Sequence, residues 1–121
     1  MSKLIMWNLV TLDGYFEGEK PWDLSFHEKV WGPELETVSK EFGKNADVLI
    51  FGRRTYEGMA AHWKAATTEP GEITSFMNAL PKLVASRTLT EADWNNTTVT
   101  SDIASAISAR KAQADKDKNL Y

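Results

Sequence analysis

The chain has 121 residues, enough for one hydrophobic core of ordinary size and too few for two comfortable domains, so a single domain spanning 1–121 is expected. A net charge of −3 gives no general attraction to nucleic acid or to an anionic membrane, and the absence of cysteine excludes disulfides, thiolate metal sites and a cysteine nucleophile. The apolar runs fall far short of the roughly 20 residues that a membrane span requires.

The opening "MSKLIMWNLVTLDG" has a single lysine, an apolar run broken by Asn8, Thr11 and Asp13, and no small-residue cleavage site. It does not read as a signal peptide, and a cytoplasmic location is the default, although a cysteine-free chain is equally compatible with export. Leu4 to Leu12 is nearly continuous in apolar residues and ends at the turn pair Asp13-Gly14. Such a run suits a strand covered on both faces, as in the middle of an α/β sheet. "YFEGEKPWDLSF" then reads as a long irregular loop whose aromatic content points to function.

Trp31, Leu35, Val38 and Phe42 recur at helical spacing and predict one buried helix face, with Gly32-Pro33 breaking or restarting the helix near its beginning. Val48 to Phe51 predicts a second buried strand, with a short helix from Arg54 to Ala61 directly after it. Ile73, Phe76, Met77 and Leu80 make another amphipathic stretch, closed by Pro81. "KLVASRT", Lys82 to Thr88, predicts a third strand and "NNTTVTS", Asn95 to Ser101, a fourth. Ser101 or Asp102 then caps a helix carrying Ile103, Ala106, Ile107 and Arg110, followed by a solvated "KAQADKDK". Strands alternating with helices predict an α/β fold with a mostly parallel sheet and flanking helices.

Two strand ends carry the chemistry. Gly52, Arg53, Arg54 and Thr55 follow the second strand, where a glycine allows close approach and a helix start offers amide hydrogens beside guanidinium groups. Ser86, Arg87 and Thr88 repeat the pattern after the third. In open α/β sheets ligands gather beyond the carboxyl ends of the strands. The pair suits a ligand with two separated phosphates, such as a dinucleotide with an extra 2′-phosphate; either cluster alone reads more often as a surface ion pair or a chance feature of a helix start. His27 and His62 have no ligand-like partner spacing, so no metal is expected. Trp22, Trp63 and Trp94 fit core, pocket wall or subunit contact.

In order and spacing, "TLDGYFEG" (11–18), "PWDLSFHEKVWG" (21–32), "VLIFGRRTYEGMA" (48–60), "MNALPKLVASRTL" (77–89) and "ADWNNT" (92–97) resemble the dihydrofolate reductase-like superfamily, in particular the stand-alone proteins related to the riboflavin-biosynthesis reductase domain. The resemblance implies an NADPH-dependent reductase that transfers hydride to a pterin-like, pyrimidine-like or other carbonyl or imine substrate. It implies that Gly52, Arg53, Arg54 and Thr55 approach the cofactor phosphates and that Ser86 and Arg87 sit by the 2′-phosphate. It also implies that Gly14, Tyr15 and Trp22 adjoin the substrate, that the aromatic loop closes over it, and that the protein is a homodimer. Asp13 is the first choice for the proton donor, against a plain turn role that Asp-Gly often fills; Glu17, Asp23, His27 and Glu34 are weaker candidates.

The resemblance also carries a departure. Family members continue past a "KNLY"-like segment into another strand and a glycine-rich turn that cradles the pyrophosphate, so the chain is expected to be the N-terminal part of such a domain, with Asn119, Leu120 and Tyr121 opening that strand. The competing expectation is a non-catalytic binding or assembly module of the same fold, which engages a protein partner.

Overall fold

The computed structural model describes residues 2–66, 71–113, 115 and 117–121. In chain order its elements are α1 (Ser25–Val30), α2 (Pro33–Asn45), β1 (Ala46–Gly52), α3 (Arg53–Ala65), α4 (Glu72–Ala79), β2 (Lys82–Ala85), β3 (Thr97–Thr100), α5 (Ile103–Gln113) and β4 (Asn119–Leu120). The sheet has the order β3-β2-β1-β4, and every pairing is parallel. The expected α/β class with a parallel sheet and flanking helices is therefore observed. The chain walks outward from β1 to β2 to β3, and α5 then returns it to the far side of β1. That reversal makes the β1–β4 boundary a topological switch point.

β1 runs in register with β2, from Leu49 beside Lys82 to Gly52 beside Ala85, and β2 with β3, from Lys82 beside Thr97 to Ala85 beside Thr100. Alternate residues of neighbouring parallel strands share a face, so Leu49, Phe51, Val84 and Val99 meet Tyr56, Ala60 and Met77 from the helices and Trp94 from the β2–β3 loop. Val48, Val84 and Leu120 are fully buried. α5 is tied to the start of β1 by Arg110, whose Nε donates to Asp47 Oδ2 at 2.6 Å.

Four expected elements change. The strand from Leu4 to Leu12 does not form: only Leu4 bridges Leu120, through Leu120 N–H to Lys3 O and Ile5 N–H to Leu120 O, both 2.8 Å. Beyond it the side chains alternate. Ile5, Trp7 and Leu9 are half-buried, whereas Met6 and Leu12 are 87% and 109% exposed. A two-residue β4 gives this segment a neighbour only at Leu4, and a strand exists only where another backbone takes up its amides and carbonyls. The Trp31–Phe42 stripe is likewise not one buried face. Pro33 forces the preceding residue out of helical geometry, so Gly32 is extended, Trp31 caps α1 at 46% exposure, and Val38 is 40% exposed. Phe42 does pack, edge-on to Trp7 at 4.2 Å and against Tyr121 at 5.1 Å.

β2 stops at Ala85 rather than Thr88, because Ser86 Oγ accepts the amides of Thr88 (3.3 Å) and Leu89 (3.0 Å) and turns the chain. β3 starts two residues later than expected, since Asn95 and Asn96 donate from Nδ2 to the terminal carbonyls of α4, Asn78 O (3.1 Å) and Ala79 O (2.8 Å). Asn96 is left-handed at φ 58°, a conformation that asparagine tolerates. The remaining expectations match: α3 extends the predicted short helix to Ala65, and Asp102 caps α5 by accepting the Ser105 amide at 3.1 Å. Ala114 and Lys116 of the "KAQADKDK" tail lie outside the described residues.

The core holds one residue that the sequence reading assigned only to a strand. Lys82 is 1% exposed, and its Nζ donates to Asn78 O (3.1 Å) and Asn95 O (2.9 Å) while lying 4.2 Å from the Trp94 ring centroid. Carbonyls and a π-face satisfy an ammonium without a carboxylate. Desolvation nevertheless pushes its pKa down to about 8 from 10.5. Between these values the unfolded chain holds the proton more often than the folded one, so stability rises with pH across that window and levels off above it. Urea midpoints of the wild type and Lys82→Met between pH 7.5 and 10.5 check this: the wild type should gain stability relative to the variant as pH rises, and parallel curves would refute it.

Candidate functional site

The candidate site is the rim where β1 and β2 end. Register fixes it: Gly52 stands beside Ala85, and neighbouring strands lie about 4.8 Å apart, so the residues that follow each strand are delivered side by side. Gly52 is the extended N-cap of α3 at φ −72° and ψ 165°, and no side chain caps the helix. The first amides of this 13-residue helix therefore point outward with its partial positive charge. The sequence favours an immediate helix because Arg53 to Ala65 contains no proline and only Gly58 as a weak former.

Arg53 spans the rim. Its Nη1 donates to Thr88 Oγ1 at 2.6 Å and its Nε to Glu57 Oε1 at 3.0 Å, one helical turn on. Two of five guanidinium donors are used in this way, leaving three for a ligand. The pair with Glu57 is exposed on both sides, so it contributes no more than about 0.5 kcal/mol and yields readily to a stronger anion. Arg54 and Arg87 are exposed and make no ion pair among the described residues. Gly52, Arg53, Arg54 and Thr55 are thus brought together with Ser86, Arg87 and Thr88. Ser86 spends its hydroxyl on the turn that presents Arg87.

α3 is anchored from behind. Tyr56, 3% exposed, accepts the Trp94 amide on its hydroxyl at 3.1 Å, and Trp94 Nε1 donates to Asn78 Oδ1 at 2.9 Å. Asn78 Nδ2 in turn donates to Thr74 O (3.0 Å) and Trp63 O (3.2 Å), which links α4 to the end of α3. This network fixes the helix on which the arginines ride, and the hydrophobic pattern gave no sign of Asn78 as its hub. Trp94 is core, Trp63 half-buried, and Trp22 40% exposed.

Asp13, Gly14 and Tyr15 form a turn of their own. Thr11 Oγ1 donates to Asp13 Oδ1 (2.6 Å) and accepts the Tyr15 amide (2.9 Å), while Gly14 N–H reaches Thr11 O at 2.9 Å with φ 92°. No hydrogen bond joins this turn to the arginine rim among the described residues. Among the weaker acid candidates, Asp23 accepts the Ser25 amide at 3.2 Å, and its hydrogen bonds with Ser25 hold its carboxyl below the usual range. His27 packs edge-on against Phe26, and burial lowers its pKa.

A shallow groove of about 440 Å³ runs along α3 beside the rim, floored by Tyr56, Ala60 and Leu89 and edged by Glu57, Glu91 and Asp93. Lys64 also lines it and pairs with Asp93 at 2.6 Å, so its three carboxylates outnumber its cation and the anion-binding character lies in the rim and not in the groove. No protein-family model matches the chain, and no curated protein matches it.

If the Tyr56 hydroxyl anchors the β2–β3 loop as described, Tyr56→Phe leaves the buried Trp94 amide without its acceptor. That substitution should cost about 1–3 kcal/mol, a penalty typical of an orphaned buried donor, read as a lower urea midpoint at unchanged m-value. A midpoint equal to the wild type would show that the hydroxyl contributes nothing.

Proposed function

We propose that the protein is an NADPH-dependent reductase of the dihydrofolate reductase-like superfamily, acting on a pterin-like, pyrimidine-like or related carbonyl or imine compound. The observation that carries this reading is the convergence of two arginine-bearing turns at the carboxyl ends of adjacent parallel strands, with Arg53 spanning them to Thr88. That rim borders the β1–β4 switch point, where open α/β sheets bind nucleotides.

In this reading Arg54 and the outward amides of α3 hold one phosphate group, and Arg87 with the remaining donors of Arg53 holds the 2′-phosphate. Gly52 and Thr55 line the approach. The nicotinamide, when bound, supplies the hydride. Gly14, Tyr15 and Trp22 contribute to the substrate side, and Asp13 carries the proton: one of its oxygens accepts from Thr11, and the other has the capacity to donate once protonated. A homodimer and a cytoplasmic location complete the proposal. No helix among the described residues is long and apolar enough to cross a membrane.

A second reading, a non-catalytic assembly module, draws support from the clustering of exposed large apolar side chains in the N-terminal third, among them Met6, Leu12, Tyr15, Phe16 and Trp31. Patches of this kind mark partner surfaces.

Thermal shift separates the two. NADPH at a hundredfold excess over its Kd stabilises by about 2.7 kcal/mol, which raises Tm by several degrees, and NADH should do less because it lacks the 2′-phosphate. Arg87→Ala should erase the difference between the cofactors and Arg54→Ala should weaken both, with apo Tm values close to wild type because both side chains are exposed. No shift at millimolar NADPH, together with a stable oligomer, would reject the reductase and favour the module.

A further inference from the structure

Asp13 is the only aspartate in the chain that a glycine follows, and no asparagine has glycine after it. That pair has a chemistry of its own. The Gly14 nitrogen can attack Cγ of the Asp13 side chain and close a succinimide ring, and glycine, with no Cβ, offers the attack no obstruction. The N–Cγ bond forms, a Cγ–O bond breaks, and the carboxyl oxygen leaves as water with the amide proton and a proton from solvent. Water then opens the ring at either carbonyl, which returns aspartate or leaves isoaspartate, whose backbone carries an extra carbon.

Among the described residues no neighbouring group shields the pair. Asp13 and Gly14 are both exposed, and a Cβ built on Gly14 would meet no group within 4 Å outside its chain neighbours. The restraint comes from Thr11, which engages both reacting groups. Its carbonyl accepts the Gly14 N–H at 2.9 Å, so the attacking nitrogen keeps its proton and points that proton at Thr11. Its hydroxyl donates to Asp13 Oδ1 at 2.6 Å. The direction of that bond is fixed, because the same oxygen accepts the Tyr15 amide at 2.9 Å and a hydroxyl has a single hydrogen to give. Thr11 N–H closes the loop on Tyr15 O at 2.8 Å.

We propose that Asp13-Gly14 is a site of spontaneous isoaspartate formation, and that Thr11 is the residue that holds it in check in the folded protein. Cyclisation has to break the bond from Gly14 to Thr11, which frees the nitrogen, and the bond from Thr11 to Asp13, which frees the carboxyl to swing onto it. A hydroxyl bond to a carboxylate is among the stronger kinds, so its loss alone corresponds to roughly a tenfold change in rate. The unfolded chain has neither restraint. Isomerisation would lengthen the backbone inside the turn and separate Thr11 from Tyr15. The inference rests on this turn alone and does not depend on the proposed reductase activity.

The test follows isoaspartate at residue 13 in the full chain, held in neutral buffer at physiological temperature. An endoprotease that cuts before aspartate but not before isoaspartate, followed by mass spectrometry of the 11–18 region, reads it. The free peptide TLDGYFEG and the chain in denaturing guanidinium chloride set the unrestrained rate. The folded wild type should form isoaspartate at least about tenfold more slowly than either. Thr11→Val, which keeps the shape and the carbonyl but removes the hydroxyl, should react roughly tenfold faster than wild type; Thr11→Ala is a second variant without the hydroxyl and carries the same expectation. Thr11→Ser, which keeps the hydroxyl, should stay at the wild-type rate. A folded wild type that isomerises as fast as the peptide would overturn the proposal, as would a peptide in which no isoaspartate forms. A hydroxyl-free variant, folded by circular dichroism, that reacts at the wild-type rate would overturn the role of Thr11, and so would Thr11→Ser reacting as fast as Thr11→Val.

Discussion

The parallel, in-register pairing of β1 with β2 is the constraint on which the remaining features hang. It places Gly52 beside Ala85, and so obliges the two chains leaving the sheet to leave it together. Were the register shifted by one residue, the side chains of β2 would exchange faces; Lys82 and Val84 would turn away from Trp94, and Arg87 would move relative to Arg53. The guanidinium bridge from Arg53 to Thr88 is thus a consequence of strand pairing more than a cause of it. Its own energy is small, since it is exposed.

Behind the rim the structure relies on a polar network inside an apolar core. Lys82, Trp94, Asn78, Asn95 and Tyr56 satisfy one another and the carbonyl end of α4. Low local dielectric strengthens such bonds when all are made and penalises any that is missing. The β2–β3 connection has no helix, so this network is what holds an eleven-residue loop (86–96) against α3 and α4. Because burial disfavours the charged form of Lys82, the stability of the arrangement rises as pH increases from about 8, while the exposed ion pairs Glu36–Lys40 and Arg53–Glu57 add little.

The arginine rim and the exposed apolar side chains lie in different parts of the chain. Residues 46–100 supply most of the core and all of the arginine rim, whereas the large apolar side chains left exposed fall between Leu4 and Val38. The two parts meet where Trp22 rests on Gly58 of α3, where Gly43 of α2 lies against Phe76 of α4, and where Leu4 bridges Leu120.

By itself the sequence determined the class of fold, the position of β1, the break at Gly32-Pro33, a helix cap at Ser101 or Asp102 and the two arginine turns. Those signals are local: apolar runs, proline's missing amide, a capping carboxylate and residues adjacent to a strand end. Only the tertiary structure decided that β2 stops at Ala85, that Leu4 to Leu12 lacks a strand partner beyond its first residue, that Val38 faces solvent, and that Lys82 is the most deeply buried charge among the described residues. Each of these depends on which groups from distant segments arrive alongside: a hydroxyl competing for an amide, a neighbouring backbone present or absent, two carbonyls and an indole converging on an ammonium. Pairing across space leaves no mark in a window of neighbouring residues. Gly58 shows the limit most plainly, for along the chain it reads as a weak point in a helix, and its purpose appears only when Trp22 is seen resting on it.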